Sequence, residues 1–396
     1  MSVEAAVKVQ AVEAEQFETK NVVTLAAGHA VHDTYSAFLP PLLPAFIESM
    51  SLTKVEAGLL TVFTQAPSLT QPFIGYLADR VSLRYAVILT PAVTATAMSL
   101  LGVAPAYAVL ALWLLVSGLS SAVLHSVGPV IAGRLSGRRL GHGMGIWMVG
   151  GELGRTLGPL LIAGYLFLWP DTLAYTPFLM VGGWLTSLLL FFRLRDVGGR
   201  PSTLGHGLPW RQALRAMGPL LVPLVGIVSV RAFMSSALTT YLPTLLADEG
   251  AELWLAGISL SVLEVAGVAG ALLGGSLSDR LGRRAILLVS LLVTPLLMIV
   301  FLAVSGWLRF PLLLLMGLTS LSVTPVIMAL VQESLPQNRA LANGIYMSLS
   351  FLIRSAVVVL VGAMGDFWGM SSAFLACALV TLLGLPFLLL LPAARR

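Results

Sequence analysis

The sequence predicts an all-α membrane protein with twelve transmembrane helices in two pseudo-symmetric six-helix bundles, and three observations predict it. Of the 396 residues, 57% are hydrophobic and 10% charged. Soluble domains hold about 45–50% and about 25%, so water cannot be the main solvent of this chain. Twelve apolar runs, each near the ~20 residues that a spanning helix needs, alternate with short polar loops. Finally, Gly75-Tyr-Leu-Ala-Asp79-Arg80-Val-Ser-Leu-Arg84 recurs 200 positions later as Gly275-Ser-Leu-Ser-Asp279-Arg280-Leu-Gly-Arg-Arg284. Each copy follows a long apolar run, which makes two copies of one membrane-embedded half. The alternating ten-residue segments of a barrel are absent.

Residues 1–21 carry Glu4, Glu13, Glu15 and Glu18 without a continuous apolar core, and are expected to form a cytoplasmic tail rather than a secretory signal. The N-terminal bundle, 22–194, holds runs at 22–47, 55–78, 85–104, 106–132, 143–169 and 173–194. Residues 195–215 place Gly198-Gly199, Pro201, Gly205, Gly207 and Pro209 among basic residues and read as a cytoplasmic linker. The C-terminal bundle, 216–392, holds runs at 218–247, 253–276, 284–305, 308–332, 340–364 and 369–392, and residues 393–396 return to the cytoplasm. Further positions repeat near the same offset: Phe38-Leu-Pro40 with Tyr241-Leu-Pro243, Ala57-Gly58 with Ala256-Gly257, and Gly145-Ile-Trp-Met148 with Gly344-Ile-Tyr-Met347. Cys377, the one cysteine, sits in the last run, can form no intramolecular disulfide and reads as a small packing residue.

Lys and Arg set the orientation, because positive loops stay in the cytoplasm. With the first run entering from inside, eighteen cations fall on the cytoplasmic side, and only Lys54 and Arg309 fall opposite. Both termini are therefore expected in the cytoplasm of a multi-pass plasma (inner) membrane protein. The net charge of +5 then describes loops facing anionic headgroups, not a nucleic-acid surface. A monomer is expected.

The paired G-x-x-x-D-R-x-G-R-R loops resemble motif A of the major facilitator superfamily, over essentially the whole chain. Within it, Gln65 to Asp79, read as Q-x5-Q-P-x-x-G-Y-x-x-D, resembles the fosmidomycin-resistance family of drug exporters. So do His29-x-x-x-Asp33, Ser121-x-x-x-His125 and Gly151-x-x-Gly154-x-x-x-Gly158-Pro159. The first copy of motif A departs from the pattern at Ser82 and Leu83, where Gly and Arg are expected. Gly145, Gly154, Gly158 and Pro159 resemble antiporter motif C, whose final Gly-Gly is Ile162-Ala163 here. Small residues let helices approach closely, and proline permits a bend. The resemblance implies alternating access and export.

In motif A, Asp79 and Asp279 can accept from helix amino-termini. Arg80, Arg84, Arg280, Arg283 and Arg284 can pair with carboxylates or headgroups, and Gly75 and Gly275 open the two gating loops. The plainer reading is a short turn pinned by positive charge.

Three arginines lie inside the apolar runs, where a charge costs at least about 2.5–3.5 kcal/mol, so a cavity, partner or substrate path is expected. Arg155 and Arg354 differ by the 199 positions that align Gly145 with Gly344 and should be pseudo-symmetry mates; Arg231 has no such counterpart. Together they suit a phosphonate, phosphate or carboxylate, which arginine holds bidentately. Against that, Glu152 stands three residues before Arg155, and Glu264 could meet Arg231. Arg354 has no acidic residue within a turn and is the leading substrate residue.

His29, His32 and Asp33 share one helix face at i, i+3 and i+4. Asp33 and Glu152 lead as proton carriers, followed by Glu264 and His32, while His29 and His125 could line the substrate path. A buried hydrogen-bonded cluster fixing one helix on another is the structural alternative.

No H-E-x-x-H, G-x-S-x-G or Walker-type pattern occurs, so neither an enzyme nor an ATP-driven pump is expected, and no cofactor or metal is implied. The reading is a secondary transporter, a proton-coupled antiporter exporting a small anionic compound such as a fosmidomycin-like phosphonate. Uptake of an organic anion by symport, or a transport-inactive sensor of the same fold, are the alternatives.

Overall fold

The computed structural model describes residues 17–78, 82–137, 140–194, 210–334 and 339–391, and among them helix is the only regular structure. All twelve apolar runs are helical. In chain order the α-helices are α1 (Thr19–Ser36), α2 (Leu39–Met50), α3 (Lys54–Gln65), α4 (Gln71–Ala78), α5 (Arg84–Ser99), α6 (Tyr107–Leu135), α7 (Leu140–Leu168), α8 (Val181–Leu194) and α9 (Trp210–Ser236). They continue as α10 (Leu242–Asp248), α11 (Leu253–Leu281), α12 (Arg283–Ala303), α13 (Arg309–Leu321), α14 (Val323–Ser334), α15 (Arg339–Trp368), α16 (Met370–Leu382) and α17 (Leu385–Leu390).

Nine helical stretches among the described residues are long and apolar enough to cross a membrane. The first, second and fifth runs fall short. The first carries His29, His32 and Asp33 and the fifth Glu152 and Arg155, while the second is described only in part. Trp307, Phe367 and Trp368 lie exposed at helix ends, where aromatic rings suit a membrane–water boundary.

The repeated aromatic-Leu-Pro triplets mark where helices break. α1 ends at Ser36, and α2 begins with Pro40 in its first turn. Correspondingly, α9 passes through a π turn at Ala237–Tyr241 before α10, which has Pro243 in its first turn. Proline has no N–H to continue the ladder, so each run divides there.

By internal contacts the chain falls into two compact units. The first comprises Met1–Ala37, Pro67–Gly158 and Thr172–Thr203; the second comprises Phe38–Ala66, Pro159–Asp171 and Leu204–Arg396. Segments of the first, second and fifth runs thus cluster with the C-terminal helices.

In the first unit Val22, Leu25, Val87, Ile88, Leu124, Val127, Trp147 and Leu190 form the core. The second unit has one core around Tyr241, Leu242, Phe301 and Phe374 and another around Met217, Leu224, Leu287 and Val323. Cys377 is fully buried in the first of these two cores.

Capping shows how sequence-distant segments of the second unit are joined. Thr53 and Glu56 form a capping box at the start of α3. The backbone N–H groups of Lys54 and Val55 donate to the Asp366 carboxylate, at 2.7 and 3.0 Å. The Tyr241 hydroxyl sits 2.9 Å from the Lys54 carbonyl and 3.0 Å from that of Val358. Lys54 pairs with Asp248 at 3.2 Å, and Arg309 pairs with Glu249. The repeated Ala57-Gly58 and Ala256-Gly257 steps both lie at close approaches. A side chain at Gly58 would meet the Val358 carbonyl at 3.1 Å, and one at Gly257 would meet Ala163 at 3.3 Å.

Candidate functional site

In the first unit, α7 lays a glycine stripe along α1. Added side chains at Gly150, Gly154 and Gly158 would collide with the carbonyl oxygens of Ala26, Ala30 and Thr34. The four-residue step is the same on both helices, so the two backbones run in direct contact over two turns. Gly151 faces the gap between His29 and Asp33: a side chain there would lie 2.6 Å from the His29 ring and 3.1 Å from Asp33 Oδ2. This close approach lets α1 bury its polar face.

That face meets a histidine from α6. His29 Nε2 lies 3.3 Å from His125 Nε2 and 3.3 Å from Asp33 Oδ2. His125 Nε2 is 3.8 Å from Asp33 Oδ1, and His32 Nδ1 is 2.9 Å from the same oxygen. The outer nitrogens are also held, His29 Nδ1 at 3.0 Å from the Trp147 carbonyl and His125 Nδ1 at 2.9 Å from that of Ser121. The Trp147 ring stacks flat on His29, with centroids 3.9 Å apart and planes 18° from parallel. His29, His32 and Asp33 are buried, whereas about a third of the His125 side chain (35%) is exposed.

Beside this cluster Arg155 donates to Glu152, the i, i+3 pairing that was the structural alternative in the sequence. The Glu152 carboxylate is largely covered while the guanidinium stays nearly half exposed.

In the second unit Arg231 takes a backbone partner. Its Nη2 donates to the Ser320 carbonyl at 2.7 Å. Ser320 lies in the last turn of α13, where carbonyls have no helical donor, so a guanidinium finds a ready acceptor. Arg231 also stands within electrostatic range of Tyr346 and Arg354. Glu264 is buried on α11.

Arg155 is fifteen residues from the start of α7, and Arg354 is fifteen from the start of α15. The helix frames therefore agree with the repeat read from the sequence.

The motif A positions are only partly described. Asp79 and Arg80 lie outside the described residues, and Gly75 and Gly275 fall within α4 and α11. Arg84 opens α5 with its guanidinium 4.9 Å from the Tyr85 ring. In the second copy Gly282 separates α11 from α12 at φ +90°, ψ 149°, a conformation for which a Cβ is costly. Arg280 is exposed; Arg283 donates to Ser278 Oγ, and Arg284 donates to the Leu391 carbonyl at the end of α17. The motif C positions also separate: Gly154 and Gly158 are closely packed, Pro159 continues α7, and Gly145 faces open space.

A family model described as Major Facilitator Superfamily matches residues 25–356 and 261–396. The chain belongs to that superfamily. It is accordingly a multi-pass membrane transporter of small molecules and not an enzyme. Among curated relatives it is 26% identical over 374 residues to the Fosmidomycin resistance protein of Escherichia coli, covering 91% of this chain and 90% of that one. It is also 26% identical to a Bacillus subtilis protein described as Uncharacterized MFS-type transporter YfnC, at 93% and 92% coverage. The Multidrug resistance protein MdtG of Salmonella typhimurium is 27% identical over 65% of this chain and 67% of its own. Among solved structures, a bacterial homolog of the human lysosomal transporter Spinster superposes with a TM-score of 0.78 at 15% identity, covering 94% and 96% of the two chains. The nucleoside transporter NupG gives 0.77 at 14% identity, with 94% and 100% covered. At such identities the likeness is one of fold alone.

Two site residues escaped the sequence reading. Trp147 walls and bonds His29, and Tyr346 stands by Arg231. Both occupy the third position of the repeated Gly-Ile-aromatic-Met segment, which was the available signal: an aromatic side chain beside the polar centre of each half.

Proposed function

We propose that the chain exports a small anionic compound in exchange for protons, by alternating access between pseudo-symmetric halves at 22–194 and 216–392. The observation that carries this reading is the likeness along nearly the whole chain to a relative described as Fosmidomycin resistance protein, together with Arg155, Arg231 and Arg354 inside helices of apolar runs. A cation inside an apolar run is costly, and an anion held by a guanidinium group offsets part of that cost. Phosphonates and carboxylates match the planar guanidinium fork. Export is supported by relatives described as fosmidomycin and multidrug resistance proteins.

In this reading Arg155, His29 and His125 line the substrate path from the first unit. Asp33, assisted by His32, carries the coupled proton, with Glu152 and Glu264 as further carriers. The motif A residues govern closure at the cytoplasmic side, where both termini lie, and the working unit is a monomer.

The test is fosmidomycin flux in proteoliposomes under an imposed pH gradient, comparing the parent with Arg354→Ala and Asp33→Asn. Gradient-driven flux lost in both folded variants is the expected result. Undiminished flux in Arg354→Ala overturns the anion site, and undiminished coupling in Asp33→Asn overturns the proton assignment.

A further inference from the structure

Three polar atoms in the first unit converge: Nε2 of His29, Nε2 of His125 and a carboxylate oxygen of Asp33. The Trp147 carbonyl can only accept, so His29 at 3.0 Å carries a proton on Nδ1, and in the neutral ring its Nε2 is a lone pair. The Ser121 carbonyl, 2.9 Å from His125 Nδ1, imposes the same tautomer on the second ring. The two Nε2 atoms nevertheless face each other at 3.3 Å, and Asp33 Oδ2 stands 3.3 Å from that of His29. With both rings neutral, two lone pairs and a carboxylate meet at one place, a negative site that a proton or a metal cation can fill.

The spacing selects the kind of cation. Ligand atoms about 2.0–2.1 Å from zinc at tetrahedral angles stand about 3.3–3.4 Å apart, as two of these pairs do. One ligand atom from each of His29, Asp33 and His125 lies within 4.8 Å of the others. The surroundings match as well. Metal-bound histidines donate their remaining N–H to a carbonyl, which both rings do here, and His32 Nδ1 holds the carboxylate at 2.9 Å. Trp147 fixes the His29 ring plane, and the partly exposed His125 gives an approach. The neighbouring cation, Arg155, is neutralised by Glu152.

We propose that His29, Asp33 and His125 bind one divalent transition-metal ion of the zinc type, through the two Nε2 atoms and the carboxylate. Its fourth position is open to water or an anionic oxygen. The sequence alone implied no metal because His125 stands far from the i, i+4 pair and only the fold brings it in. The proposal does not depend on transport direction, but it competes with the proton role given to Asp33 above: with the ion bound, Asp33, His29 and His125 are ligands, and Glu152 and Glu264 remain as the proton carriers.

The test is equilibrium dialysis of the full chain, purified in detergent without an affinity tag, against Zn2+ and separately Co2+, with bound metal counted by mass spectrometry. One equivalent of each is expected, and bound Co2+ should show the intense visible bands of a tetrahedral site. His125→Ala and Asp33→Asn should lose the bound ion, and His32→Ala should weaken it about 10–100-fold through loss of the outer hydrogen bond. No stoichiometric metal on the parent overturns the proposal, as does equal retention by His125→Ala. Should a variant elute as aggregate, the Co2+ spectrum of the parent still decides, since weak octahedral bands refute the three-ligand geometry.

Discussion

Replacing Gly154 by alanine tests whether the contact of α7 with α1 is backbone on backbone. In an exposed helix the exchange should stabilise by about 0.5–1 kcal/mol, because glycine loses more freedom on folding. At Gly154 the new methyl would collide with the Ala30 carbonyl and lie 2.8 Å from Asp33 Cβ and 2.9 Å from the Thr34 nitrogen. Two of these three atoms are backbone, so relief requires α1 itself to move, and overpacking of this kind costs about 1–3 kcal/mol. The cost exceeds the gain, and a net loss of about 1–2 kcal/mol is expected. Gly145 in the same helix supplies the control, because its added methyl meets nothing within 4 Å. The assay is the temperature at which half of the detergent-purified protein survives brief heating, read by size exclusion. Gly145→Ala should match or exceed the parent, and Gly154→Ala should fall a few degrees below it. Equal survival of the two variants would refute the contact, whatever transport they retain.

Two further perturbations probe the second unit. Asp366→Ala removes the carboxylate that accepts from Lys54 and Val55 at the start of α3; a loss of about 0.5–2 kcal/mol is expected in the same assay, and an unchanged midpoint would mean that water replaces the cap. Gly282→Ala forces a Cβ into φ +90° between α11 and α12, which should cost about 1–3 kcal/mol; full stability in that variant would show that the turn relaxes freely.

What the sequence revealed and what it hid divide along physical lines. His29, His32 and Asp33 were readable as one face because helical spacing fixes their neighbours within a turn. The same rule exposed Glu152 beside Arg155. Repetition exposed the matched arginines and the paired aromatic-Leu-Pro triplets, though not that the helix is interrupted at the first of these. Contacts made between helices carry no such local signature. Arg231 donates to a carbonyl in the last turn of α13, a backbone acceptor that no charge pattern in the sequence marks. Asp366 caps a helix 312 residues earlier in the chain, and nothing around it in the sequence announces a cap.

Cys377 has a use that its burial creates. A thiol reacts as its thiolate and only where reagent can reach it, and this one is packed at 0% exposure among the apolar side chains of the second unit. The natural chain is therefore already silent toward maleimides while folded. Cysteines introduced on the loops could carry spin labels or fluorophores without first replacing the native residue, and the protein's movements could be followed with its core intact. Heating would then report on itself, since Cys377 would begin to label only when that core opens.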